Sequence, residues 1–176
     1  MRSSRAIAGS LLFLVVAPGV VAGLVPWLLT GWEADDQLGD LLVLRVAGAI
    51  LLCAGVLVLL DAFLRFAREG RGTPAPVAPT ERLVVGGLYR YVRNPMYLAV
   101  EAAIVGQALL LERTILLAYA AAVGAAFWAF VRLYEEPTLA RRYGDEYEEY
   151  RSAVPAWLPR LRPWQPKRNV RDSATP

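Results

Sequence analysis

The sequence contains no histidine and only one cysteine. Without an imidazole there are no histidine-based metal sites and no Ser-His-Asp or Cys-His catalysis. With Cys53 alone, no disulfide framework can form within the chain, and a zinc site would have to be built from carboxylates almost alone. Charged residues make up only 20% of the 176 positions, and the net charge is +3. Long stretches have no polar residues from which to build a hydrated shell. No Gly-rich dinucleotide fingerprint and no internal repeat are present.

What is abundant is apolar. Hydrophobic residues reach 56% and the mean hydropathy is +0.38, above the ~45–50% apolar content usual for soluble domains. The length suits one domain, and lipid must be the solvent for much of the surface. Four apolar segments stand out. The first runs from about Ala6 to Leu29, long enough for a ~30 Å hydrocarbon layer at ~1.5 Å per residue. Arg2 and Arg5 precede it, as in a signal peptide, but the run exceeds a usual signal core and no small-x-small site follows, so a retained helix is expected. Pro18 and Pro26 are expected to kink it, with neighbouring helices taking up the freed carbonyls. The second span is expected over Leu41 to Leu60 or on to Phe66, with Gly48 and Gly55 admitting a close neighbour. The third runs from Pro95 to about Leu111 and the fourth from Ile115 to about Tyr134. The tight Glu112-Arg113-Thr114 connection makes the last two an antiparallel hairpin.

Between spans two and three, Gly70, Gly72, Pro74, Pro76 and Pro79 exclude a continuous helix. Beyond span four, Tyr143 to Tyr150 reads as a short amphipathic helix. Its Tyr143, Tyr147 and Tyr150 stripe is expected to pack on the headgroup zone. Three regions result: residues 1–79 with the first helices and a basic loop, 80–159 with the hairpin and C-terminal segment, and a basic tail over 160–176. The predicted fold is all-α, a multi-pass membrane bundle of about four spanning helices with a C-terminal amphipathic helix. Arginines gather at the N-terminus, in the loop after span two and in the C-terminal segment, whereas Glu33, Asp35, Asp36 and Asp40 follow span one. The positive-inside rule puts both termini and the basic loop in the cytoplasm. The Ala-, Arg-, Leu- and Val-rich composition fits a bacterial inner membrane.

Two polar islands stand at the cytoplasmic ends of the hairpin. In the first, Gly86 and Gly87 permit close backbone approach, Tyr89 and Tyr97 offer aromatic faces, and Asn94-Pro95 starts span three as cap and first helical residue. The second, Arg132-Leu133-Tyr134-Glu135-Glu136-Pro137, returns to the same depth. Two adjacent carboxylates there are costly to desolvate and need cations nearby.

Arg93-Asn94-Pro95-Met96-Tyr97, then Glu135-Glu136-Pro137, Tyr143-Gly144-Asp145-Glu146-Tyr147, Tyr150 and Val154-Pro155-Ala156-Trp157-Leu158-Pro159, resemble the isoprenylcysteine carboxyl methyltransferase and phospholipid methyltransferase superfamily. The likeness covers about Thr80 to Pro159. It implies an integral-membrane methyltransferase using S-adenosylmethionine in a cytoplasm-facing pocket, with a lipophilic acceptor entering from the bilayer. The implied cofactor contacts are Glu81, Arg82, Leu83, Val84, Tyr89, Asn94, Pro95, Met96, Tyr97 and Glu135. Arg132 lies one position from a family arginine that contacts the acceptor. The family commonly has His-Pro where this chain has Asn94-Pro95, and an amide exchanges hydrogen bonds but takes no proton at neutral pH.

The chemistry is consistent with this likeness. Glu135 or Glu136 suits the amino group of the cofactor, and the N–H groups at the start of span three suit its carboxylate. Tyr97 or Tyr89 suits the sulfonium, with a cation–π contribution of about 1–2 kcal/mol. An acceptor that is already a thiolate or carboxylate needs only positioning. A neutral amine needs a base, for which Glu136 is the candidate. The partners expected are the bilayer and a small or lipophilic acceptor (carboxylate, thiol or amine), with no nucleic acid, and the oligomeric state stays open. Two other readings are a membrane NADPH-dependent reductase of the steroid reductase type and a non-catalytic membrane scaffold.

Overall fold

The computed structural model describes residues 16–69 and 83–165. Every regular element among them is helical. We number the helices α1 (Val16–Thr30), α2 (Leu42–Glu69), α3 (Pro95–Leu110), α4 (Thr114–Tyr143) and α5 (Asp145–Ala153), with a 3-10 turn over Gly87–Arg90 before α3. Over Leu42–Arg65 and Thr114–Tyr143, α2 and α4 are long and apolar enough to cross a bilayer, and α1 and α3 are shorter apolar helices. Their outward faces carry large apolar side chains, among them Leu42, Val43, Ile50, Leu57, Trp128 and Leu133. An apolar belt of that size suits hydrocarbon contact. The expected start of the first span at Ala6, the Pro-rich loop and the tail beyond Gln165 lie outside the described residues.

Helix α2 packs most extensively against α3. The cause is a lack of side chains at three positions. A Cβ on Gly48 would sit 2.5 Å from the Leu110 nitrogen, one on Gly55 2.7 Å from the Ala99 carbonyl, and one on Gly106 2.6 Å from the Leu52 nitrogen. The two backbones are in direct contact and run antiparallel, which is how helices pair where lipid is as apolar as leucine.

The carbonyls freed in α1 are taken up by its neighbours. Pro26 has no N–H for Ala22, and a π turn over Val20–Leu24 sends the Val25 N–H to the Val20 carbonyl, bypassing Val21. Gln107 of α3 donates to the Ala22 carbonyl at 2.7 Å, and the Tyr119 hydroxyl of α4 donates to Val21 at 2.9 Å. Both defects thereby become the joints that hold α1 on the hairpin.

The end of the bundle opposite the polar islands is also stapled. Glu112, wholly buried, sits in the α3–α4 turn with φ +52°. Its carboxylate accepts from the Asp40 backbone at 2.7 Å and from Arg45 at 2.6 Å. Asp35 pairs with Arg113 at 3.0 Å, and its backbone N–H reaches the Leu111 carbonyl. The Asp36 N–H and the Gln37 amide on its side chain hold its carboxyl below the usual carboxylate range.

Two sequence expectations need correction. Span four does not stop at Tyr134 but runs on to Tyr143. Pro137 cannot donate to the Leu133 carbonyl, and a π turn over Val131–Glu135 accommodates the mismatch with the Glu136 N–H on Val131. The chain breaks instead at Gly144, where φ is +53°. The tyrosine stripe faces protein as well: Tyr147 and Tyr150 are buried with Val154 and pack against Leu83, Leu139 and Trp164.

Backbone contact leaves α2 and α3 no slack. Gly48→Ala and Gly106→Ala are each expected to cost about 1–3 kcal/mol by overpacking. Gly23→Ala, with nothing within 4 Å of the added carbon, should leave the midpoint nearly unchanged. Thermal unfolding of the detergent-purified protein checks the ranking.

Candidate functional site

The start of α3 is tied to the C-terminal segment. Asn94 precedes Pro95 at the first helical turn, but its side chain caps nothing. Its amide donates instead to the Ala156 carbonyl at 3.1 Å. The Arg93 N–H reaches the Pro155 carbonyl at 2.9 Å and the Arg160 N–H the Tyr91 carbonyl at 2.9 Å. Arg90 Nε donates to the Trp164 carbonyl at 2.7 Å. Residues 155–164 therefore lie across the mouth of the hairpin, and the Trp157 ring stands 6.4 Å from that of Tyr97. The first-turn N–H groups of α3 receive no cap from Asn94.

Glu135 and Glu136 face different partners, because consecutive residues on a helix point about 100° apart. Glu135 Oε2 accepts from the Tyr97 hydroxyl at 2.7 Å, so α4 and α3 meet there. Its Oε1 takes no hydrogen bond among the described residues. Glu136, buried, holds Arg93 at 2.8 Å on Oε1 and Arg132 at 3.0 Å on Oε2, with Arg151 of α5 at 3.8 Å. Arg93 Nη1 also donates to the Tyr147 hydroxyl at 3.0 Å. Its Nε is buried with no hydrogen-bond partner among the described residues. Burial pushes the Tyr147 phenol up, so Tyr147 stays a neutral partner to that guanidinium.

Tyr89 sits in the 3-10 turn, buried with Ala62 and Val84 and packed on Met96. Its carbonyl accepts from the Tyr150 hydroxyl at 2.6 Å. Burial raises its phenol well above the ordinary range. The two glycines ahead of it differ. Gly86 is extended, whereas Gly87 has φ +53° and lies under the Arg65 guanidinium, where any Cβ would overlap.

Nearly all the site residues expected from sequence meet at this one end. Val84, Tyr89 and Met96 share a cluster, Leu83 packs beside Tyr147 and Tyr150, and Asn94, Pro95, Tyr97, Glu135, Glu136 and Arg132 line the junction of α3 with α4. Glu81 and Arg82 lie outside the described residues. The sequence reading missed Arg93, Tyr147 and Arg151 as members. The signal was present, since two adjacent carboxylates demand cations and Arg93 directly precedes the Asn-Pro step.

A helical bundle with an apolar belt and a charged end crossed by the C-terminal segment belongs to the class of membrane-embedded helical proteins with a terminal polar site. The sequence pattern of the phospholipid methyltransferase family matches residues 43–146, more than half of the 176 residues. The chain belongs to that family of membrane methyltransferases. The match begins inside α2, so the likeness reaches well ahead of Thr80, where the sequence showed only generic apolar helix. It gives no support to a reductase or a scaffold. No curated protein and no solved structure matches the chain.

The buried ion cluster sets a ranking. Arg93→Ala leaves Glu136 desolvated with weakened pairing and is expected to cost about 3–5 kcal/mol of stability. Arg132→Ala removes a guanidinium that is 57% exposed and should cost under about 1 kcal/mol. Denaturation midpoints of the two variants, compared side by side, check this.

Proposed function

We propose that the protein is an integral-membrane methyltransferase that takes its methyl group from S-adenosylmethionine and transfers it to a lipophilic or small acceptor. The observation that carries the reading is the Tyr97–Glu135 hydrogen bond at 2.7 Å. It joins the two ends of the hairpin under a tethered C-terminal segment and leaves the other Glu135 oxygen without a hydrogen bond among the described residues. Family membership supports the reaction class.

The residues present suit the cofactor. Glu135 Oε1 is an acceptor for an ammonium group. The uncapped first turn of α3 and Arg93 Nε, which has no partner among the described residues, are donors for a carboxylate. The ring of Tyr97 is a cation–π surface for a sulfonium. Val84, Tyr89 and Met96 form the apolar floor, and Leu83, Asn94 and Pro95 fix the backbone around it. Glu81 and Arg82 complete the set on the family likeness. When bound, the cofactor supplies an electrophilic methyl group, and the protein's share is to hold the two reactants in line and keep water out. In this reading Glu136 anchors the cleft. With Arg93 on Oε1 and Arg132 on Oε2, it remains the candidate base for a neutral amine acceptor. Arg132, exposed beside it, is placed to meet a polar part of the acceptor.

The topology proposed has four passes, with α1 and α3 as the shorter ones. The polar end and both termini face the cytoplasm, following the arginine distribution, and the membrane is the bacterial inner membrane. The bilayer and the acceptor are the partners, and no nucleic acid is involved.

Glu135→Gln keeps the size of the side chain and removes its charge. It is expected to weaken S-adenosylhomocysteine binding by about tenfold or more, as loss of a charge-assisted contact does. Isothermal calorimetry on detergent-purified protein measures this. Wild-type affinity in the variant, or no binding by the wild type, would overturn the reading.

A further inference from the structure

A cavity of about 480 Å³ lies between α2 and the 3-10 turn that precedes α3, within the ~300–1,000 Å³ range of small-molecule sites. Among the described residues its walls come from α2, that turn and Tyr91 alone, so Tyr97, Glu135 and Glu136 take no part in it. Tyr89 belongs to the same turn but is buried with Ala62 and Val84, against Met96. The cavity is therefore separate from the site proposed for the methyl donor.

Its walls change polarity along α2. Leu57 and Val58 lie inside the apolar stretch Leu42–Arg65, and Leu57 is 67% exposed. Leu88 adds to that apolar half. Asp61 and Arg65 stand one and two turns further on, and Arg90 joins them from the 3-10 turn. From Leu57 to Arg65 the helix rises ~12 Å. The cavity thus passes from hydrocarbon depth to the end of the apolar stretch, where headgroups begin.

The charges select the ligand. Asp61 Oδ2 accepts from Arg65 Nε at 2.8 Å, and Asp61 is the one carboxylate on the wall among the described residues. Arg90 pairs with no carboxylate among them. Its Nε is held by the Trp164 carbonyl at 2.7 Å, and its Nη groups make no hydrogen bond among the described residues. An ammonium would have to compete with Arg65 for Asp61, whereas a phosphate would meet the guanidinium fork of Arg90. Gly87 positions the second guanidinium. With φ +53° its main chain lies against the Arg65 group, and any Cβ there would overlap it. Basic pockets of this kind at helix ends suit the phosphates of anionic lipids.

We propose that this cavity holds the headgroup phosphate of an anionic phospholipid. Arg90 is the main anchor with Arg65 beside it, and the first carbons of an acyl chain lie along Leu57 and Val58. The lipid is bound unchanged and is not the methyl acceptor, so the site does not rest on the methyltransferase reading.

Native mass spectrometry tests this on the whole protein in detergent, offered equal amounts of phosphatidylglycerol and phosphatidylcholine with the same chains. The wild type should retain phosphatidylglycerol over phosphatidylcholine by about tenfold or more, as a charge-assisted contact to one headgroup gives. Arg90→Gln should lose most of that preference. Asp61→Asn, which removes the competing acid, should keep or raise it. Equal retention of the two lipids by the wild type overturns the site without any variant. A folded Arg90→Gln protein with undiminished preference overturns it too. Should Arg90→Gln fail to fold, Val58→Trp fills the apolar half and leaves the charges in place; it should lower phosphatidylglycerol retention, and unchanged retention counts against the site. Inorganic phosphate at the lipid's concentration should displace little of the bound lipid. Full displacement would mark a site for the free anion and overturn the lipid assignment.

Discussion

Two carboxylates on consecutive residues beside hydrocarbon cannot both stay charged without cations close at hand. In this chain Arg93 answers that demand, and the arrangement of the polar end follows from it. Arg93 stands two residues before α3, Glu136 within the C-terminal part of α4, and Tyr147 and Arg151 on α5. One buried pair thus fixes three elements that are remote in sequence. With Glu136 turned toward the arginines, Glu135 is left facing Tyr97, and the open carboxylate oxygen at the cleft is a consequence of its neighbour's neutralisation.

Prolines shape the same end and the outer helix through a common device. Pro26 and Pro137 each remove an N–H, and in each case a π turn lies next to the proline, over Val20–Leu24 and Val131–Glu135. In α1 the released carbonyls bind Gln107 and Tyr119 from the hairpin. In α4 the widened turn lets a long apolar helix continue into a polar one, carrying Glu135 and Glu136 at the transition. In α1 the defect costs intrahelical bonds but ties the helix sideways to the hairpin, where dispersion alone discriminates poorly between partners.

Much of this was legible in the sequence because it depends on residue type at short range. Apolar runs gave α2, α3 and α4 within a few residues at most starts, Glu112-Arg113-Thr114 gave the hairpin, and Gly48 and Gly55 announced the close helix contact. The Arg-Asn-Pro-Met-Tyr and Glu-Glu-Pro islands marked the cleft. What escaped depends on long-range pairing. Asn94 reads as a cap, yet its amide serves a carbonyl 62 positions later. Tyr143 to Tyr150 reads as an interface stripe, yet Gly144 and the Arg93 guanidinium turn its tyrosines inward. Helix α4 outlasts its apolar run because a π turn absorbs Pro137, and no local composition signals that.

The three glycine contacts between α2 and α3 bear on movement. Where main chain touches main chain there is no side chain to rotate aside, so that pair behaves as a single rigid slab. Buried Glu112 clamps the far end of the hairpin to the loop before α2. The compliant seam is therefore the polar-end half of the α3–α4 junction, which is sealed by the rotatable Tyr97, Phe127 and Trp157. Under the proposed function, an acceptor entering at this end would pass by rotation of those rings and not by parting of α2 from α3.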